Sequence, residues 1–381
     1  MKVSLTDICD FQGGTQPPKD EWIDQPAQGY VRMLQIRDFT QSDKNYIEYV
    51  KDTGKLKTCI EDDILIGRYG ASIGKILTGL AGAYNVAIVK TIPDEKVVSK
   101  KYLYWYLNSQ YFQRFISNVG SRAAQAGFNK NDLGAAQIPL VDKERQEEIC
   151  EVLEKANKLI SLRKQQLAKL DELIKARFVE MFGTFPANPF RWDTGKIQDV
   201  VSDVRYGSSR PAVEGGKYPY LRMNNITYSG ELDLRDTKRI DIPDSELDKC
   251  TVRRGDVLFN RTNSKELVGK TCVYNRNELM VLAGFVIRVR INERIRPEVL
   301  SAFLNMDFSK RMLIGMCKTA IGQANINAKE LQNIDLYIPP IELQDQFVAL
   351  KNKIDQQKQT VQQSLDKLEL MKKALMQEYF G

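Results

Sequence analysis

Hydrophobic and polar positions follow two different periods along this chain, and the switch between them occurs twice. Up to residue 140 the apolar residues come in short runs, among them Tyr30-Val-Arg-Met-Leu-Gln-Ile36, Asp63-Ile-Leu-Ile66 and Val86-Ala-Ile-Val89, separated by Gly, Asp and Pro. Short β-favouring runs between turn residues predict a compact mixed domain of strands and loops. One stretch, residues 101–117, breaks that rhythm: Leu103, Tyr106, Leu107 and Phe112 recur at near-helical spacing, and their aromatic rings belong to a core. After Pro139 the pattern becomes that of one long helix over residues 142–181. Ile149, Ala156, Arg163, Leu170 and Arg177 share one heptad position, and Leu153, Ile160, Leu167, Ile174 and Met181 share a neighbouring one. A helix of ~40 residues extends about 60 Å and separates what lies at its ends.

The whole plan is then written again. Residues 167–183 return as residues 365–381, with Leu, Lys, Leu, Lys, Ala, Glu, Phe and Gly coinciding at an offset of 198 positions. Ile138-Pro-Leu with Gln146 answers Ile338-Pro-Pro with Gln346, and Gln125-Ala-Gly-Phe-Asn129 answers Gln323-Ala-Asn-Ile-Asn327. Tyr220-Leu-Arg-Met223 answers Tyr30-Val-Arg-Met33, the stretch from Gly255 to Arg261 answers that from Asp62 to Arg68, and Gly269-Lys270 answers Gly74-Lys75. The heptad stripe of the second helix, Phe347, Ile354, Val361, Leu368 and Leu375, is apolar throughout. Gly183-Thr-Phe-Pro-Ala-Asn-Pro-Phe-Arg-Trp192 stops the first helix and turns the chain.

These patterns predict an α+β protein of two similar mixed α/β domains, each followed by a long helix. The segments are 1–140, helix 141–183, 184–340 and helix 341–381. Burying both stripes on each other requires the second helix to run back along the first, an antiparallel coiled coil with pseudo-twofold symmetry. Two readers of related objects, held at one separation, would result.

Composition narrows the chemistry. A length of 381 residues suits two domains. The net charge of +7 favours a polyanionic partner without deciding it. Six cysteines lie far apart with no Cys-x-x-Cys pair, and read as free thiols of a reducing cytosol. The absence of histidine removes the usual base of nucleophilic triads and the commonest transition-metal ligand. No run approaches the ~20 apolar residues of a membrane span, so a cytoplasmic location without membrane contact is expected.

Over essentially its whole length the chain resembles the specificity (S) subunits of Type I restriction-modification systems. The likeness rests on Ile138-Pro-Leu with Gln146, Ile338-Pro-Pro with Gln346, the Gln-Ala-x-[Phe/Ile]-Asn element before each, and the Phe-Gly helix ends. The resemblance implies two target-recognition domains, each reading half of a bipartite site in double-stranded DNA, and spacer helices that set the unread gap and dock two methyltransferase subunits. Restriction subunits would complete the complex. No cofactor is expected on this chain itself, S-adenosylmethionine being held by the methyltransferase.

B-DNA repeats every ~34 Å, so readers one to two turns apart can address two major-groove segments from one side. Affinity would come from Lys and Arg on phosphates, and specificity from Arg, Asn and Gln on base edges. In the first domain the candidates are Arg32, Gln35, Arg37, Arg68, Tyr69, Lys75, Arg122, Asn129 and Lys130. In the second they are Arg222, Asn224, Asn225, Arg261, Thr262, Asn263, Ser264, Lys265 and Lys270, with the stretch Asn260-Arg-Thr-Asn-Ser-Lys265 foremost. Arg68 and Arg261, common to both copies, would serve the framework or phosphates, since a shared residue cannot distinguish two targets. A surface Arg or Asn in a loop is more often solvated or capping than base-reading.

The rival from another class is a stand-alone DNA-modifying enzyme, a methyltransferase or nuclease. Asn188-Pro-Phe190 lacks the second proline of an adenine methyltransferase element and falls in the linker. The glycines of Gly67-Arg-Tyr-Gly-Ala-Ser-Ile-Gly74 do not form Gly-x-Gly-x-x-Gly, Glu-x-Lys is absent, and Asp62 and Asp63 read as a turn. A basic coiled-coil scaffold is a third reading, but needs no pair of divergent domains.

Overall fold

The computed structural model describes residues 1–41, 47–122, 127–320 and 323–381, with the side chains of 120–122, 318–320 and 323 excepted. The chain divides into two compact units, Met1–Lys164 with Gln363–Gly381, and Gln165–Gln362. Each unit holds one mixed domain and one part of each of two long helices, Lys143–Phe182 and Ile341–Phe380. This division cuts both helices, unlike the four-segment partition expected from the sequence, because each half-helix buries its stripe within one unit.

Among the described residues the first unit carries a four-stranded antiparallel sheet ordered Cys9–Gly13, Ile88–Pro93, Leu65–Gly67, Ile76–Leu77. A second sheet contains Tyr30–Leu34 paired in parallel with Gly82–Tyr84. A short ladder joins Lys2–Ser4 to Gln137–Pro139. The second unit has the same parts in the same order: Val201–Tyr206, Val286–Ile291, Val257–Asn260 and Thr271–Val273 form its four-stranded sheet. Tyr218–Leu221 runs parallel to Met280–Leu282, and Asp193–Lys196 pairs with Asp335–Ile338. Val, Ile, Leu and Phe fill the inward face of these strands, and Val257, Leu258 and Phe259 are fully buried.

The long helices pair antiparallel inside each unit. In the first, Lys372 Nζ donates to Asn157 Oδ1 at 2.7 Å and Lys164 meets Glu369 at 2.9 Å. The Phe380 ring lies 5.2 Å from that of Tyr102. In the second, Lys358 pairs with Asp171, and Phe178 and Phe182 pack on Phe347 at 5.6 and 5.4 Å between centroids. The strict heptad reading drifts here: Arg177 faces outward beside Glu180 while its neighbour Phe178 is buried. The cause is that 3.6 residues per turn slip against a repeat of seven. Arg163 stays half-buried, its Nε donating to Ser364 Oγ at 3.2 Å.

Two matches drawn from the sequence are out of register. Gln146 is fully buried, accepting from Ser99 N at 2.9 Å and donating to Val97 O and Val141 O. The residue that repeats this is Gln344, also fully buried, which accepts from Arg296 N at 2.8 Å and donates to Arg294 O and Pro339 O. Gln346 is exposed. The offset of 198 therefore holds through the helix entry, and the Ile-Pro match, at 200, is coincidental. Likewise Asn85 N and Ala283 N donate to Leu34 O and Leu221 O, so Leu221 answers Leu34. Arg222 then stands where the first unit has Gln35, and Asn225 where it has Asp38.

Candidate nucleic-acid interface

Each four-stranded sheet ends in a turn that carries the repeated arginine. In the first unit Arg68 N donates to Ala87 O at 2.8 Å, and its Nε donates to Phe128 O at 2.9 Å. The guanidinium lies 5.0 Å from the Tyr69 ring, and Tyr69 itself bridges to Gly127. Gly74, at φ +75°, brings the chain back with its N–H on Gly67 O at 2.9 Å, and a Cβ there would meet Ile116 at 2.4 Å. Only glycine fits this close left-handed position. Lys75 follows, exposed.

The second unit repeats these bonds. Arg261 N donates to Phe285 O at 3.0 Å, and Gly269, at φ +78°, donates to Asn260 O at 2.8 Å. The Arg261 guanidinium lies 4.7 Å from the Tyr206 ring and donates to Asn325 Oδ1 at 3.2 Å. Thr262 pairs with Asn325 as Tyr69 does with Gly127. Both arginines are thus held to the Gln-Ala-x-[Phe/Ile]-Asn element, each over a tyrosine taken from a different place in its copy.

The remaining candidates separate by how far the fold has already used them. Asn225 is buried, accepting from Arg222 N and donating to Asp233 O at 2.8 Å. Lys270 is buried with its Nζ on Met223 O at 2.9 Å, and burial pulls its pKa below the usual lysine range. Thr262 is buried in its ladder. Asn129 accepts from Asp132 N at 3.1 Å and caps a short helix, as Asn327 does with Glu330 N at 2.9 Å. Lys130 pairs with Asp10, whose carboxyl that contact holds below its usual range. Asn260, named with the foremost loop, is fully buried. These residues hold the framework together.

Arg32 pairs with Asp38 at 3.1 Å, Gln35 Nε2 donates to Glu48 at 2.6 Å and Arg37 pairs with Glu48. Burial pushes the Glu48 pKa up, but Lys19, Arg37 and Gln35 outweigh it and keep it below the usual carboxylate range. Arg222 reaches Asp236 at 2.9 Å. Asn263 Oδ1 accepts from Ser264 N at 2.9 Å, both residues being half-buried. Tyr69, Lys75, Asn224 and Lys265 are exposed. The Arg122 side chain lies outside the described residues.

Several structural anchors escaped the sequence reading. Lys90 Nζ donates to Thr58 O at 3.0 Å and pairs with Asp63 at 3.2 Å. Arg288, only 1% exposed, repeats this with Thr251 O and adds Asp203 at 2.6 Å. Asp63 Oδ2 accepts from Ile60 N as Asp256 Oδ2 does from Arg253 N, so both carboxylates close the same turn; Asp63 pairs with Lys90, whereas Asp256 pairs with Arg290 at 3.0 Å. Their recurrence in the second copy, Asp63 as Asp256 and Lys90 as Arg288, was the available signal. Asn188 Oδ1 accepts from Trp192 N at 2.9 Å, which places the methyltransferase-like Asn-Pro-Phe in a closed turn. No helix among the described residues is long and apolar enough to cross a membrane.

The Type I restriction modification DNA specificity domain matches residues 1–172 and again residues 189–370. The MjaVIII specificity subunit of Methanocaldococcus jannaschii is 24% identical over 402 residues, covering 98% of this chain and 90% of that one. The Type I restriction enzyme EcoKI specificity subunit of Escherichia coli (strain K12) is 21% identical over 278 residues, 69% of this chain but 60% of the relative's length. The putative MjaX specificity subunit of M. jannaschii is 26% identical over 196 residues, and the chain spans 46% of it. Among solved structures, a chain from work on complex assembly and conformational transition of the type I R-M system superposes with a TM-score of 0.59 at 17% identity, covering 100% of this chain and 97% of that one. The Type-I restriction-modification system S subunit from M. genitalium gives 0.53 at 15% identity, covering 100% and 96%. These establish a shared fold. With the same domain matched in both halves and one hydrogen-bonded framework repeated in both units, the chain belongs to the family of Type I restriction modification DNA specificity domains.

Proposed function

We propose that this protein is the non-catalytic DNA-specificity subunit of a Type I restriction-modification complex, each mixed domain reading one half of a bipartite site. The observation that carries this is the pairing of an invariant backbone with a variable tip. Arg68 and Arg261 are fixed by equivalent bonds to Ala87 O and Phe285 O, while the exposed side chains around them differ. A repeated frame with different tips suits two unlike half-sites, and a net charge of +7 suits phosphate contact.

In this reading the base-reading set narrows to the exposed or partly exposed groups: Tyr69 and Lys75 in one unit, Asn224, Asn263, Ser264 and Lys265 in the other. Arg32, Gln35, Arg37 and Arg222 join it by exchanging carboxylate partners for phosphate or base edges. The long helices set the unread gap, and their outer faces dock two methyltransferase subunits, which carry S-adenosylmethionine and recruit restriction subunits. Val152, Leu159 and Leu162, 39–49% exposed on the first unit's helix, are the apolar part of that face.

Sequencing of modified bases in DNA from cells expressing this chain with its methyltransferase tests the reading. The expected motif is bipartite and asymmetric; an uninterrupted palindrome overturns it. Leu159→Glu combined with Leu162→Glu should abolish co-purification of the methyltransferase.

A further inference from the structure

The second unit exposes a phenylalanine on a turn that is held rigid. Phe285 is 54% exposed, yet its carbonyl accepts from Arg261 N at 3.0 Å. On one side of it Gly284 N donates to Ser208 O at 2.7 Å, and on the other Val286 N donates to Ala283 O at 2.9 Å. Gly207 closes so tightly on this turn that a Cβ there would lie 2.1 Å from Leu282 O. An apolar ring displayed by a fixed backbone is oriented for contact rather than left over from a loose loop.

The first unit supplies the control. There Ala87 O accepts from Arg68 N at 2.8 Å, Ile88 N donates to Asn85 O at 3.0 Å, and a Cβ on Gly14 would lie 2.1 Å from Asn85 O. The arginine bond and the bond that closes the turn recur, but Ala87 stands where the second unit has Phe285. Strand pairing sharpens the contrast. Tyr206 sits opposite Ile287, and at the equivalent place Gly13 sits opposite Val89. The second copy has therefore gained two aromatics, Phe285 and the 42% exposed Tyr206, beside an arginine that both copies share.

We propose that Phe285 is a specificity-determining residue of the second unit, pressing its ring on the apolar surface of a base in one half-site. That surface is either the C5 methyl of a thymine in the major groove or the face of a partly unstacked base. The inference rests on the DNA-reading function proposed above. Arg261 supplies the contact common to both halves, and Phe285 the contact that only one half makes.

The test uses the full chain assembled with its methyltransferase, comparing Phe285→Ala and Phe285→Leu with the unaltered protein by modified-base sequencing and duplex binding. Phe285→Ala should relax one position, or two adjacent ones, of a single half-site, with about a tenfold loss of discrimination there. The other half-site and the gap should not change, and Phe285→Leu should retain part of the discrimination. Uracil in place of thymine at that position reproduces the loss if the methyl is read; a rise in 2-aminopurine fluorescence at that step on binding marks an unstacked base. A Phe285→Ala complex with an unchanged motif and unchanged discrimination overturns the proposal, as does loss of methyltransferase co-purification with the motif intact, which would make the ring a docking residue. Failure of the parent reading is distinguishable, because the unaltered complex would then show no bipartite motif.

Discussion

The two units satisfy the same backbone carbonyls with different side chains, and the differences show which positions the fold constrains. Lys90 caps Thr58 O in one, and the fully buried Arg288 caps Thr251 O in the other. Gln113 Nε2 donates to Gly74 O at 2.9 Å, and its counterpart Lys310 donates to Gly269 O at 2.6 Å. On the helices, Ile160 is buried in the first unit, and Lys358, 198 positions on, pairs with Asp171 and Glu231 in the second. What persists is a donor aimed at a particular carbonyl, or a buried volume; the chemical type is free so long as the bond is made. At the surface no such demand exists, and there Ala87 and Phe285 can differ without disturbing the turn.

The comparison predicts unequal costs for equivalent substitutions. Arg288→Met should cost about 3 kcal/mol in urea unfolding, because it removes the buried donor of the Thr251 and Asp248 carbonyls and one partner of Asp203, whereas Lys90→Met should cost about 1 kcal/mol. Equal losses would show that the two anchors do the same work. Next, Gln146→Leu and Gln344→Leu should each cost about 2 kcal/mol by orphaning buried backbone groups, while Gln346→Leu stays within about 0.5 kcal/mol. A large effect at Gln346 would restore the register read from the Ile-Pro match.

The smallest effect is at Lys310, where burial pulls the pKa from 10.5 to about 7. The unfolded chain binds this proton more tightly than the folded one, so Lys310 favours folding less at pH 7 than at pH 10. Stability should therefore rise with pH across that window. Lys310→Gln, which installs the first unit's residue, should flatten the rise and add on the order of 1 kcal/mol at pH 7. A pH profile identical to that of the parent protein would count against it.

The α+β plan, the two domains and the two long helices were legible because periodicity reports which faces are buried, and burial sets period before any partner is specified. The family followed from that plan. The candidate interface was legible only as a region. The turns bearing Arg68 and Arg261 were correctly paired by their flanking Gly-Lys motif, but Asn225, Thr262 and Lys270 were indistinguishable by type from surface readers. Whether a lysine meets water or Met223 O depends on a short helical turn brought beside it from 47 residues away. The same limit misaligned Gln346. A residue's type says what bonds it can make, and only the assembled backbone says whether the carbonyls are within reach.

Phe285 marks the boundary between these two kinds of information. Its identity and the duplication around it are present in the chain, but nothing in the local pattern distinguishes it from a buried apolar residue. That it stands exposed, on a turn bonded to Arg261 and Ser208 and beside the strand of Tyr206, follows from contacts between segments distant in sequence, such as Gly284 N on Ser208 O and Tyr206 opposite Ile287. Local pattern prescribes helices, strands and their repetition, since these depend on neighbours along the chain. Which polar groups are consumed inside the fold and which are left to meet a partner depends on neighbours in space, and is settled only when the strands pair.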